Sequence, residues 1–274
     1  MSRHGHGRDS AGRFGWAQLS GATTAVGGAA VMALALSGCG TGGGGGASGE
    51  STTLTVYAAA SLTESFEDLA AQFEEDHPGV DVQLNFGGSS TLVTQLQDGA
   101  PADVFASADR ANMDKAVDAD LIDGSPSIFA GNTLTVAVPS GNPAGVTSFE
   151  DLAGDDVDVV VCETRVPCGT ATQKIEDLTG VTLDPVSEES SVTDVMGKVT
   201  SGQADAGVVY RTDVKAAGDS VEEVEIDRAD QVVNEYPIAT VKSAGNADLA
   251  REFIELVEGP DGQARLAEEG FRSP

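Results

Sequence analysis

Ser61, Ser89, Ser90 and Tyr210 each stand where a short apolar segment gives way to the next element, and the polar chemistry of the chain is concentrated at these turns. Leu54 and Val56 mark a buried strand, while Leu62, Phe66, Leu69 and Phe73 recur on one face of a helix expected to begin near Leu62. Ser61, with Glu64 three positions on, has the spacing of a capping box. Such a start leaves first-turn N–H groups and the positive end of the helix dipole beside a hydroxyl, which is an anion site without a cationic side chain. A serine that only caps its helix satisfies the same pattern. Gly87-Gly88-Ser89-Ser90-Thr91 repeats the arrangement after the alternating strand Val80, Val82, Leu84, Phe86. Either Ser89 or Ser90 can cap the helix carried by Leu92, Val93 and Leu96, and the glycines allow a ligand to approach the backbone; a plain turn explains them equally. Further on, Val166-Pro167-Cys168 precedes a helix over 169–178, Ser190-Ser191-Val192 opens one through Val199, and the strand 206–210 delivers Tyr210 at its carboxyl end.

Catalytic chemistry is poorly supplied. His4 and His6 lie in the N-terminal leader and His77 sits beside Pro78-Gly79 in a turn, so neither a Ser/His triad nor a histidine metal cluster can be assembled. No G-x-S-x-G or P-loop pattern occurs. An extracytoplasmic enzyme is therefore the minor alternative, and an anion-binding protein the main expectation.

The elements that position these turns alternate strand and helix, which predicts an α/β fold of mostly parallel sheets with the ligand at the carboxyl ends of strands. A strand-like segment over 127–138 and a return strand over 232–241 divide the chain into two lobes: 52–131 with 235–274, and 132–234. That organisation describes a two-lobed binding protein that closes on its ligand by a hinge.

Residues 1–38 are set apart from this fold. Arg3, Arg8 and Arg13 precede an apolar run ending Leu36-Ser37-Gly38-Cys39, which resembles a bacterial lipobox and implies cleavage before Cys39 and lipid attachment to its thiol; a plain secretory signal is the alternative. Residues 39–51, with five consecutive glycines, read as a flexible tether holding the body at the outer face of the cell membrane. The net charge is −29, and removal of 1–38 takes away Arg3, Arg8, Arg13 and Asp9, leaving −31. Nucleic acid is excluded as a partner on that charge.

Several ordered segments carry a resemblance: Ala58-Ala59-Ala60-Ser61-Leu62, Ser89-Ser90-Thr91-Leu92, Gly99-Ala100-Pro101-Ala102-Asp103-Val104-Phe105, Gly131-Asn132-Thr133-Leu134, Gly207-Val208-Val209-Tyr210 and Tyr236-Pro237-Ile238-Ala239. With these the chain resembles the substrate-binding lipoproteins of molybdate ABC transporters over essentially all of 54–271. The resemblance implies a type II periplasmic-binding-protein fold and a monomer that passes molybdate or tungstate to an ABC-transporter permease, touching the membrane only through its lipid. In that family two serines, two backbone amides and a tyrosine hydroxyl hold the oxyanion. They fall here on Ser61, Ser89, Cys168, Val192 and Tyr210, with Ser90 a substitute for Ser89 and Cys168 standing where the family usually has alanine. Molybdenum would thus enter only as its oxyanion, and no cofactor is implied. A deprotonated tetrahedral dianion has only acceptors and matches a cage of donors; sulfate or another tetrahedral oxyanion remains the alternative ligand.

The resemblance does not supply a disulfide, but the compartment does. With Cys39 consumed by lipid, Cys162 and Cys168 form an even pair in an oxidising environment, separated by Glu163-Thr164-Arg165-Val166-Pro167. A bridge there would staple the anion loop to its strand; two free thiols are the alternative.

Overall fold

The computed structural model describes residues 51–274. The leader, Cys39 and the tether up to Glu50 lie outside the described residues. From Thr52 the chain alternates as the apolar periodicity dictates: β1 (Thr52–Ala59), a 3₁₀ turn (Ala60–Leu62), α1 (Thr63–Asp76), β2 (Val80–Gly87), α2 (Ser89–Gln97), β3 (Val104–Ala106), α3 (Arg110–Asp118) and β4 (Ile122–Asn132). There follow β5 (Leu134–Pro139), β6 (Val159–Cys162), α4 (Pro167–Thr179), β7 (Ser187–Glu189), α5 (Val192–Thr200), β8 (Ala206–Tyr210), α6 (Arg211–Ala217) and β9 (Val221–Val224). The chain closes with β10 (Asn234–Val241), α7 (Ala247–Glu258) and α8 (Pro260–Glu269).

These strands form two five-stranded sheets of matching design, β2-β1-β3-β10-β4 and β7-β6-β8-β5-β9. In each, three neighbouring strands run parallel and the fourth is antiparallel to both of its neighbours. The segment expected as one long strand is two, β4 in the first sheet and β5 in the second, divided at Thr133. The return is made at Asn234, which pairs with Asn132 at the other crossing. The short β7, β9 and α6 carry too few residues for a periodic signal.

Each lobe is packed around its own sheet. In the first, Phe66 and Phe73 of α1 meet Phe253 of α7 edge-on, with ring centroids 5.9 and 5.5 Å apart, and Phe129 and Phe271 close around Tyr236. The buried Asp103, from the Ala-Asp-Val-Phe segment, accepts hydrogen bonds from the backbone N–H of Thr55 at 2.8 Å and of Asn246 at 3.1 Å, tying β1 to the approach of α7. The second lobe is built on valines of β5, β6 and β8 packed under Val195 and Val199 of α5; Gly207 is small because a Cβ there would lie 2.8 Å from both of those side chains.

The capping box expected at Ser61 is not formed. The chain leaves β1 through a 3₁₀ turn, so Ser61 lies inside that turn and α1 begins at Thr63 with Leu62 as its cap and no side-chain capping bond. Thr63 Oγ1 donates instead to the Ala60 carbonyl at 2.8 Å, which frees the Ser61 hydroxyl for a tertiary contact.

Cys162, ending β6, and Cys168, in the first turn of α4, are joined in a disulfide with Cα atoms 5.7 Å apart. The turn it spans is tight: a Cβ on Gly169 would sit 2.0 Å from the Glu163 carbonyl oxygen. The loop-entropy relation gives roughly 2 kcal/mol for so short a ring. Replacing both cysteines by serine is expected to lower the urea midpoint accordingly; an unaltered midpoint would mean that the bridge contributes nothing to stability.

Candidate oxyanion site

Three helix N-termini converge where the two lobes meet. The first belongs to α2, entered through Gly87 and Gly88; the others are those of α4 at Pro167-Cys168 and of α5 at Val192. First-turn N–H groups have no acceptor within their own helix and carry the positive end of its dipole. Cys168 and Val192 occupy such positions, and both are buried. Pro167 opens α4 at a position where no N–H is needed, and Ser191 caps α5 by accepting from Asp194 N at 3.2 Å.

Ser61, Ser89, Cys168, Val192 and Tyr210 line a single small cavity with about 200 Å³ of space free of atoms. Its wall is completed by alanines, glycines, Val166 and Pro167; no carboxylate, lysine or arginine reaches it. Ser89 is fully buried and accepts from Ala108 N at 3.0 Å, which leaves its own proton to give. Ser89 rather than Ser90 lines this cavity; the hydroxyl of Ser90 is buried without a protein partner. The Ser61 hydroxyl lies 2.9 Å from the hydroxyl of Tyr236.

Tyr210 is buried at the end of β8, and its hydroxyl accepts from Asn234 Nδ2 at 2.8 Å. Burial pushes its phenol well above the ordinary range, and the neighbouring Tyr236, Asp109 and Asp213 push it the same way. Tyr236 is likewise raised by burial, against a hydrogen bond from Ser61 that lowers it. Both phenols therefore keep their protons and remain donors throughout the physiological range.

Asn234 and Tyr236 were not among the expected site residues. Tyr236 was visible only as part of a sequence segment, and the one signal for Asn234 is a polar residue directly before an apolar return strand. Gly88, expected to let a ligand approach the backbone, instead meets the other lobe: a Cβ there would lie 2.1 Å from the carbonyl oxygen of Ser190, across the cleft.

A larger cavity, about 710 Å³ of space free of atoms, adjoins the first and shares Ala60 and Ser61 with it. It differs in chemistry, being lined by the carboxylates Glu64, Asp213 and Glu269 together with hydroxyl and apolar side chains, and those carboxylates do not suit an anion. Among the described residues no cluster of three or more His, Cys, Asp or Glu could hold a metal ion, and no helix is long and apolar enough to cross a membrane.

The family described as bacterial extracellular solute-binding protein matches residues 54–272. The molybdate-binding protein ModA of Mycobacterium tuberculosis is 48% identical over 222 residues, covering 81% of this chain and 85% of that protein. The chain belongs to the ModA family of bacterial extracellular solute-binding proteins. The ModA protein of Escherichia coli is 32% identical over 228 residues, covering 80% of this chain and 88% of its own. The periplasmic molybdate-binding protein of Azotobacter vinelandii shares the fold, with a TM-score of 0.71 at 24% identity over 81% of this chain and 99% of that one. The family is one of solute-binding proteins.

Two outcomes follow from this geometry. Gly88 has φ −62° and ψ 132°, a conformation open to any residue, so Gly88→Ala acts by bulk alone. It is expected to hold the lobes apart and weaken oxyanion binding by about tenfold or more, leaving the melting temperature of the free protein nearly unchanged. Unaltered affinity in calorimetry would show that this approach is not needed for binding. The second outcome concerns Asp213. Burial pushes its carboxyl from 3.8 up to about 7, opposed by the hydrogen bond it accepts from Tyr210 N at 2.8 Å. An acid raised in the folded state costs nothing below its unfolded pKa. The cost grows as pH rises from about 4 to about 7 and is complete above that. Asp213→Asn should therefore raise the melting temperature at about pH 8 and leave it unchanged at about pH 4. The side chain is half-buried on a cavity wall and partly screened by water, so the direction is the test; equal shifts at both pH values would contradict it.

Proposed function

We propose that this protein captures molybdate, and tungstate with it, outside the cytoplasm and delivers the anion to an ABC importer. The observation that carries this function is the composition of the small cavity: hydroxyls of Ser61, Ser89 and Tyr210 and first-turn amides at Cys168 and Val192, with no carboxylate among them. A fully deprotonated tetrahedral dianion offers acceptors only, and each of these groups can donate. A phosphate that keeps a proton at neutral pH would benefit from a carboxylate acceptor, which the wall does not supply. Kinship with the mycobacterial and enterobacterial ModA proteins supports the same ligand.

In this reading Ser61 and Ser89 bind from the first lobe and the amides of Cys168 and Val192 with the Tyr210 hydroxyl from the second, so the anion itself bridges the lobes. The chain acts as a monomer, anchored after export by lipid on Cys39, and presents its closed form to the permease. The Cys162–Cys168 bridge pre-orders the Cys168 amide, so that less freedom is lost on binding.

Calorimetry of the protein lacking residues 1–38 against molybdate, tungstate, sulfate and phosphate tests the proposal. One molybdate or tungstate per chain is expected, with sulfate and phosphate far weaker; comparable affinity for sulfate and molybdate would favour a general tetrahedral-oxyanion binder instead. Loss of a hydrogen bond to a charged ligand costs roughly 1.5–3 kcal/mol, so Ser61→Ala and Ser89→Ala should each weaken molybdate binding by about ten- to a hundredfold. Full affinity in both variants would place the site elsewhere.

A further inference from the structure

Asn234 contacts both lobes with one amide group. Its Nδ2 lies 3.1 Å from the Ala108 carbonyl of the first lobe, 3.3 Å from the Pro167 carbonyl of the second and 2.8 Å from the Tyr210 hydroxyl, also of the second. The side chain is buried and stands at the first residue of β10, where the chain re-enters the first sheet. Two of the three partners are carbonyl oxygens, which can only accept, so the NH₂ end and not the amide oxygen must face them. The Tyr210 hydroxyl then has a lone pair engaged by Asn234. Its other polar neighbour is the Tyr236 hydroxyl, which competes with the cavity for the Tyr210 proton.

We infer that Asn234 is a positioning and selectivity residue: it fixes the Tyr210 hydroxyl as a donor toward the cavity and, by the same amide, latches the first lobe to the second. This deepens the proposed function and rests on it. The chain of contacts is continuous. Ala108 donates its N–H to Ser89 Oγ and offers its carbonyl to Asn234, while Pro167, its partner on the other side, directly precedes Cys168. Its two protons serve three acceptors, the Tyr210 hydroxyl at 2.8 Å taking one and the Ala108 and Pro167 carbonyls at 3.1 and 3.3 Å sharing the other, so one amide joins groups that flank Ser89, Cys168 and Tyr210, one donor from the first lobe and two from the second. A phenol free to turn could present either its proton or its lone pair to an anion, and so would tolerate a ligand that carries a proton. A phenol whose lone pair is engaged presents the proton, which favours a bare dianion. The cross-strand partner of Asn234 makes a similar link: Asn132 Nδ2 donates to Thr212 Oγ1 of α6 at 2.8 Å.

The test is a double-mutant cycle on the protein lacking residues 1–38, read by calorimetry with molybdate and with inorganic phosphate. Asn234→Ala is expected to weaken molybdate binding about tenfold or more and phosphate binding less, so that the molybdate-to-phosphate ratio falls. In a Tyr210→Phe background the same substitution should leave that ratio unchanged, because there is no hydroxyl left to orient. An equal loss for both anions, or the same change of ratio in both backgrounds, would overturn the inference and leave Asn234 a structural residue. Asn234→Asp keeps the shape of the side chain, and its carboxylate accepts the Tyr210 proton; it should lose more molybdate affinity than Asn234→Ala, and carries the test if Asn234→Ala does not fold. Failure of the unmutated protein to bind any tetrahedral oxyanion would count against the proposed function itself, whereas binding that Asn234→Ala and Asn234→Asp leave untouched would count against this inference alone.

Discussion

The dominant constraint on this molecule is that hydrogen-bond donors gathered out of water need an acceptor. Burying an unpaired N–H or O–H costs on the order of 1–3 kcal/mol, and the cavity collects five groups able to donate within one small space, the Ser61 hydroxyl sharing a hydrogen bond with Tyr236. Nothing in the wall answers them, since its remaining members are alanine, glycine, valine and proline. A protein interior tolerates this only where a ligand completes it, and the ligand that does so for five donors at once is an anion with several acceptor oxygens. The helix dipoles of α2, α4 and α5 act in the same direction, so the site is positive without any positive side chain.

Delivering those donors to one point is the work of the two matching sheets. Each sheet ends its parallel strands at the cleft, and each following helix starts there; the crossings at Asn132–Thr133 and Asn234 keep the sheets joined by only two strands. Two crossings make a hinge, and a hinge gives a closed state only if something holds it. In this structure the holding contacts are specific: Gly88 against Ser190, with no room for a Cβ, and the Asn234 amide shared between the lobes. The ring of Tyr236 packs edge-on against Tyr210 with centroids 6.1 Å apart, so the first lobe's core touches the tyrosine that the second lobe contributes to the small cavity. Under the proposed function, binding and closure are the same event.

Much of this was legible in the sequence because it depends on short-range patterns. Period-3.6 runs such as Leu62, Phe66, Leu69 and Phe73 locate helices, and the small-residue turns before them locate the N-termini where Ser89, Cys168 and Val192 sit. Ser61 was found for a reason that proved wrong in detail: its S-x-x-E spacing suggested a cap, whereas a 3₁₀ turn places the hydroxyl against Tyr236. Propensity patterns do not distinguish a helix that starts at residue 62 from one that starts a residue later after a tighter turn, and here the difference decides what the hydroxyl does. The glycine pair at Gly87-Gly88 was legible as a place of close approach, but the contact of Gly88 with Ser190 and those of Asn234 were not. Their partners, Ala108, Pro167, Tyr210 and Ser190, are distant in sequence from one or the other and become neighbours only when two separately folded sheets meet. The seven-residue α6 and the strands β7 and β9 were missed for the opposite reason, being too short to repeat any pattern.

The acidity of the chain bears on the site in a way that its sign alone would misstate. A charge of −31 after removal of residues 1–38 opposes an approaching anion at long range, but charges more than about 8 Å apart are largely screened at physiological salt. At short range the same acidity acts on the donors themselves. Asp109 and Asp213 lie close enough to Tyr210 to raise its phenol further, after burial has already raised it, and so they disfavour the one ionisation that would turn this donor into a repelling anion. Neither carboxylate lines the small cavity, and Asp213 faces the larger one, where it accepts the Tyr210 backbone N–H. The negative groups are thus placed behind the donors, where they act on the donor's own proton, and the surface facing the ligand is left to hydroxyls and amides.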